Sequence, residues 1–340
     1  MENKKKVILT FDYELFLGQD TGTAQKCIIE PTNIILDLLK KYNARGIFFV
    51  DATYLLKLKE TGHKDLKVIK DQIYRIVKED HNIELHLHPQ WLDAYKTGEN
   101  RWSFKSFDRY SLHSLKKNEI NRIFNDSIKL LEELIHNGNK KYKLTAFRAG
   151  GWAIQPFDTI KKYFNENNIV FDFSVNPGLY SKSGSCAFYD FCDTDTDLDF
   201  WRFNDDPCIS VKKGKFIEIP VSTLQIKKID LWLNYYLYKK NEKQSGDGNS
   251  VVIKKNNLSI RKKIFNIFHV FSSCYFALSV DGLANKYFIK FLKKYDKKVK
   301  NYITVVLHPK QLSKNSIKNL EYLLKNYKTN GINELREVIN

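Results

Sequence analysis

The sequence predicts an α/β fold, a mainly parallel sheet or barrel of about seven strands alternating with helices. Three observations predict it. Short apolar runs recur along the chain, helical patterns lie between them, and the runs are continuously apolar, as expected of strands covered by crossover helices on both faces. With 340 residues, 43% hydrophobic and 14% aromatic, the chain can bury a substantial core, and β/α barrels of this size commonly form a single domain.

The expected strands, in order, are Val7 to Asp12, Gly46 to Val50, Ile83 to His88, Leu144 to Arg148, Ile169 to Ser174, Phe216 to Pro220 and Ile303 to His308. Helical patterns fall near Pro31 to Tyr42, Leu66 to Glu79, Leu115 to His136 and Pro156 to Asn165. The polar stretch Asn241 to Asn257, with Ser245-Gly-Asp-Gly-Asn-Ser250, reads as a mobile loop leading into a basic, helical region that runs to Lys300. Because Ile303 to His308 resembles one more strand of the same sheet, the expectation is one domain over 1–340 with a basic helical insertion at about 241–300.

Polar residues recur where the expected strands end. His86 and His88 in Leu-His-Leu-His-Pro stand two apart, so on a strand both imidazoles face one way. Asp12 and Glu14 in Phe-Asp-Tyr-Glu repeat the arrangement. Carboxylate and imidazole together suit zinc or another divalent first-row ion, and three protein ligands leave a position for water. A lone Asp after a strand is ordinarily a turn or capping residue, and a lone His a satisfied core group. Two pairs at matching strand ends favour the metal. Arg148, Asp172 and His308 also follow apolar runs, and in parallel β/α barrels the carboxyl ends of the strands form the catalytic face.

Charge and cysteine usage narrow the setting. The formal net charge is +17, and between Lys227 and Lys300 17 Lys and Arg stand against 5 Asp and Glu, a net of +12. Two readings stay open: a solvated basic surface, or a patch that attracts an anionic partner such as an anionic lipid or a nucleotide sugar; no nucleic-acid-binding motif accompanies it. Ile264 to Val280, 17 residues diluted by Asn266, His269 and serines, reads as an amphipathic helix packed on the domain rather than a membrane span. Five cysteines, Cys27, Cys186, Cys192, Cys208 and Cys274, are an odd number without a C-x-x-C. The apolar stretch before Asp12 is too short for a signal-peptide core. The expected location is cytoplasmic, with the inner membrane surface as a peripheral site.

The ordered motifs Thr-Phe-Asp12, His86-Leu-His88-Pro, Phe-Arg148-Ala-Gly-Gly151, Phe-Asp172-Phe-Ser-Val, Glu-Ile-Pro-Val221 and Leu-His308-Pro resemble the NodB-homology polysaccharide deacetylases of carbohydrate esterase family 4. They are particularly similar to the variant branch associated with surface-polysaccharide gene clusters. The resemblance spans roughly Val7 to Pro309, outside the insertion. It implies a distorted β/α barrel, a divalent ion (Zn2+, with Co2+, Ni2+ or Mn2+ as alternatives) and hydrolysis of an acetyl group, N-linked by preference, from a sugar of a surface polysaccharide or its precursor.

By the same resemblance Asp12 is the general base, Arg148 the cation that orients it, His308 the general acid and Asp172 the partner that orients His308. Gly150, Gly151 and Trp152 take the oxyanion and substrate-binding position, and Glu14, His86, His88 and Asp12 are the candidate metal ligands. The chain departs from the family where Tyr13 replaces a second aspartate, where the histidines are spaced i, i+2 instead of i, i+4, and where Arg148-Ala-Gly-Gly lacks a proline. Either Glu14 or Asp12 must then supply the metal carboxylate. The competing reading is a catalytically silent NodB-like protein that binds a carbohydrate or a lipid precursor.

Overall fold

The computed structural model describes residues 5–106, 108–136, 141–183, 187–195, 197–229, 243–250, 273–297 and 301–339. Fifteen strands are described: β1 (Lys6–Tyr13), β2 (Ile47–Asp51), β3 (Asn82–Leu87), β4 (Ala94–Gly98), β5 (Arg101–Phe104), β6 (Ala146–Ala149), β7 (Phe171–Asp172), β8 (Tyr180–Ser183), β9 (Ala187–Asp190), β10 (Trp201–Phe203), β11 (Phe216–Glu218), β12 (Thr223–Lys227), β13 (Ser273–Ala277), β14 (Tyr302–Leu307) and β15 (Lys328–Asn330). Nine form one sheet in the order β10-β11-β7-β6-β3-β2-β1-β14, with β15 also against β1. Every pairing in it is parallel except β10 with β11.

The sheet curls into a distorted barrel because irregular backbone ties its two ends. Ser222 N–H donates to the Thr304 carbonyl at 3.0 Å and Leu278 N–H to the Ser222 carbonyl at 2.7 Å. Val306 N–H then donates to the Leu278 carbonyl at 3.2 Å, so residues 221–222 and 278–280 bridge the gap between β11 and β14. Seven expected strands are present as β1, β2, β3, β6, β7, β11 and β14.

The two-residue period of the strands sorts their side chains. Ile8, Ile47, Phe49, Ala146, Phe171, Phe173, Ile217, Ile219 and Tyr302 pack together inside the barrel. Their neighbours Val7, Leu9, Phe48, Val50, Ile83, Leu85, Phe147, Ile303 and Val305 pack against the surrounding helices in a second, larger cluster. Helices Glu30–Lys41, Asp65–Lys78, Lys117–His136 and Asp158–Glu166 fill the expected stretches, while Ala52–Glu60, Lys314–Asn326 and Ile332–Ile339 add to them.

The expected insertion needs three corrections. Residues 230–242 and 251–272 lie outside the described residues, so the amphipathic helix over Ile264 to Val280 can be judged only from 273 onward. There the chain is β13, paired antiparallel with β12, because a strand partner satisfies its backbone. Beyond it Leu278, Val280, Phe288, Leu292 and Tyr295 join the larger core, so 273–297 is integral to the fold. Lastly, the polar residues 245–249 are docked. Ser245 N–H donates to the Leu312 carbonyl, Gly246 N–H to the Lys310 carbonyl and Asn249 N–H to the Asp20 carbonyl, at 2.8, 2.8 and 2.9 Å. The Arg101 guanidinium clamps Asp247 at 2.7 Å and Asp20 at 2.6 Å. Gly246 and Gly248 permit the approach, since a Cβ on either would stand 2.5–2.6 Å from its nearest neighbour.

The same period turns Asp172 away from the barrel interior. Asp172 pairs in register with Phe147 on one side and Glu218 on the other, and Phe147 belongs to the outer cluster. Both carboxyls are fully buried. Burial raises the Asp172 pKa, and burial and then Asp172 raise that of Glu218 well above its usual 4.5. A folded value above the unfolded one means that the folded chain binds more protons, so this pair's stabilising contribution is lost as pH rises above 4.5 toward the folded value. Glu218→Gln removes the Glu218 share of that slope. Thermal midpoints of the variant and the parent, compared at pH 5.5 and pH 8.5, should diverge in the variant's favour at the higher pH; a constant difference means the pair is already ionised.

Candidate active site

The carboxyl ends of β1, β3, β6 and β14 converge, and the inward-facing residue of each is polar. Asp12 and Glu14 come from β1 and the residue after it, His86 and His88 from β3 and its end, Arg148 from β6 and His308 from the end of β14. All are buried except His308, whose side chain is 21% exposed, which puts one edge of the cluster in reach of solvent.

Arg148 crosses the barrel interior. Its Nη1 donates to Asp12 Oδ1, Nη2 to Thr10 Oγ1 at 3.0 Å and Nε to the Phe173 carbonyl at 3.0 Å. Its guanidinium carbon lies 4.2 Å from the centre of the Phe49 ring and 5.2 Å from that of Trp152. Burial pushes the Asp12 carboxyl up, but Arg148 and then His308 outweigh it and hold Asp12 well below the usual carboxylate range.

Glu14, His86 and His88 meet at their tips. Glu14 Oε2 stands 3.2 Å from His86 Nε2 and 2.5 Å from His88 Nε2, and the two imidazole nitrogens are 3.0 Å apart. Tetrahedral zinc at bond lengths of about 2.0–2.1 Å sets its donors about 3.3 Å apart, close to the two sides of this triangle that meet at His86, while the Glu14–His88 side is shorter. The tautomer agrees. His86 Nδ1 lies 2.8 Å from the Arg148 carbonyl, which only accepts, so the neutral ring carries its proton on Nδ1 and turns the Nε2 lone pair to the triangle. His88 is set by its main chain, whose N–H donates to Thr53 Oγ1 at 2.9 Å. These residues fit a divalent ion. Asp12, Glu14 and His308 also lie within 4.8 Å of one another through their polar atoms, so Asp12 borders the triangle.

His308 sits between two carboxylates. Its Nε2 is 3.4 Å from Asp12 Oδ2 and its Nδ1 3.3 Å from Asp281 Oδ2, while its backbone N–H donates to the same Asp281 oxygen. Ser279 Oγ donates to Asp281 Oδ1 at 2.6 Å. Burial lowers the His308 pKa, but Asp281 and then Asp12 raise it to about 10. The expected partner, Asp172, is elsewhere: its Oδ1 accepts from Ser174 at 2.7 Å on the outer face of the barrel. Sequence reasoning missed Asp281, although it opens an Asp281-Gly282 step inside the stretch read as an insertion. It also missed Lys310, whose Nζ donates to Glu14 Oε1 at 2.8 Å.

The Gly150-Gly151-Trp152 turn lies against the triangle. A Cβ on Gly150 would meet the Leu87 carbonyl at 2.4 Å and His88 Nδ1 at 2.7 Å, and Gly151 adopts φ +59 against the Tyr110 ring. Trp152 follows at φ +62, an uncommon conformation for a side-chain-bearing residue, and stays partly exposed beside Arg148.

Residues 1–163 match the polysaccharide deacetylase family model. Among curated proteins none matches the sequence. In the solved structures, a chain assigned as a polysaccharide deacetylase from Mycobacterium smegmatis is 14% identical with a TM-score of 0.50, over 99% of this chain and 91% of that one. Peptidoglycan deacetylase PdaC from Bacillus subtilis is 13% identical with a TM-score of 0.40, over 99% and 92%. No helix among the described residues is long and apolar enough to cross a membrane. Residues 1–163 are thus similar to the polysaccharide deacetylase family, on a chain that shares its fold with the Mycobacterium smegmatis structure.

Proposed function

We propose that the protein is a metal-dependent hydrolase that removes an acetyl group, N-linked, from a sugar of a surface polysaccharide or its precursor. The observation that supports the reading best is the position of Asp12, with His308 on one side and the Glu14-His86-His88 triangle on the other. Glu14, His86 and His88 are the proposed ligands, and zinc is the proposed ion because one carboxylate and two imidazoles suit it. When bound there, the ion supplies Lewis acidity to the acetyl carbonyl and brings the pKa of water toward about 7, within reach of a base as weak as Asp12.

The chain's own groups then divide the proton work. Asp12, kept ionised by Arg148, accepts the proton of the attacking water at Oδ2 as the water oxygen bonds to the acetyl carbon. His308, kept protonated by Asp281 and Asp12, delivers a proton to the sugar nitrogen as the C–N bond breaks, leaving acetate and an amine. Backbone N–H groups of the Gly150-Gly151 turn are the proposed donors to the developing oxyanion, and the exposed part of Trp152 is the proposed stacking surface for a sugar ring. The basic region read as an anionic-partner surface falls mostly outside the described residues, and the cytoplasmic location is part of the same proposal.

Acetate released from an N-acetylated sugar chain tests the reading. Asp12→Asn and His308→Ala should each lower kcat by about a hundredfold or more, with much smaller changes in KM. Chelation should abolish the activity and metal re-addition restore it. Because His308 acts while protonated, the rate should fall as pH rises toward about 10, and His308→Ala should lose that limb. Full activity in His308→Ala with an unchanged pH profile places the acid elsewhere, and no acetate release by the loaded parent favours the silent carbohydrate-binding reading.

A further inference from the structure

A second buried cation stands beside the triangle. Lys310 Nζ donates to Glu14 Oε1 at 2.8 Å and to the Leu15 carbonyl at 2.8 Å, and it lies 5.2 Å from the centre of the Phe16 ring. Both side chains of the pair are 7% exposed. Glu14 therefore has its two oxygens committed in different directions. Oε2 faces His86 and His88, and Oε1 is taken by the ammonium.

We propose that Lys310 is a positioning residue that withholds one oxygen of Glu14 from the bound ion, so that Glu14 offers a single donor atom beside His86 and His88. The proposal rests on the metal reading above. A carboxylate next to a divalent ion otherwise has two oxygens to offer, and bidentate binding fills the position that a catalytic site keeps open for water and substrate. Lys310 also balances the negative charge of Glu14, leaving the donor set less anionic and the ion a stronger electrophile.

The lysine is itself held in place. It sits in the turn after His308-Pro309, and its carbonyl accepts from Gly246 N–H at 2.8 Å, so the docked segment 245–249 covers it. A solvent-borne lysine could swing away from the carboxylate; this one lacks the room.

Cobalt reports the number of ligands, so the test titrates Co2+ into the metal-free full chain and follows its visible absorption, with a competing chelator to obtain Kd. Lys310→Met should give weaker absorption than the parent, as a fourth protein donor raises the coordination number, and a Kd changed by about tenfold or more. Lys310→Arg, which keeps a cation at Glu14, should restore much of the parent spectrum. An ordinary ion pair predicts something else: a lower thermal midpoint of metal-free Lys310→Met with the Co2+ spectrum and Kd of the parent, and that result overturns the proposal. Should Lys310→Met fail to fold, X-ray absorption on the cobalt-loaded parent decides, one carboxylate oxygen at the ion supporting the role and two overturning it. A parent chain that takes up no Co2+ overturns the metal reading itself, and this role with it.

Discussion

A guanidinium inside a barrel constrains everything around it. Removing such a charge from water costs several kcal/mol unless it is fully paired, and Arg148 is fully buried. Its nitrogens reach Asp12 and Thr10 on β1 and the Phe173 carbonyl beyond β7, so three regions of the barrel must keep their places for one side chain to be satisfied. Its own carbonyl receives the proton of His86 Nδ1. One residue thereby fixes the ionisation of Asp12 through its side chain and the tautomer of His86 through its main chain. The inner barrel is apolar below this level, with Ile8, Ile47, Phe49 and Phe171 packed together, so the charges at the carboxyl end rest on a rigid floor.

Charge is balanced pair by pair. Asp12 has Arg148, Glu14 has Lys310, and Asp281 has His308. Each carboxylate meets its cation at hydrogen-bond distance or slightly beyond, which is how a cluster this buried stays charged. The triangle of Glu14 Oε2 and two imidazole nitrogens is what the pairing leaves over, three donors close enough to share either protons or an ion.

Much of this was legible in the sequence because strands have a period of two. Asp12 with Glu14 and His86 with His88 had to share a face, and the parallel order put those faces at one end of the sheet. The same rule, applied to Phe171-Asp172-Phe173, places the aromatic residues inside and Asp172 outside; motif resemblance overrode that parity, and the partner of His308 proved to be Asp281. Asp281 and Lys310 were hidden for another reason. Both act through contacts between residues far apart in the chain or in segments with no apolar period, and the polarity of 241–257 resembled a solvated loop although 245–249 packs backbone on backbone. Helix Ala52–Glu60 escaped notice because its apolar stripe is short, while Asp51, accepting from Tyr54 N–H, caps it.

Everything in the proposed chemistry depends on Glu14, His86 and His88 holding a divalent ion at the carboxyl ends of the strands. Elemental analysis of the purified chain after dialysis against trace Zn2+, run beside His88→Ala, tests it most directly. The expected result is about one ion per parent chain and a large loss in the variant. Undiminished metal in His88→Ala, or none in the parent, contradicts it.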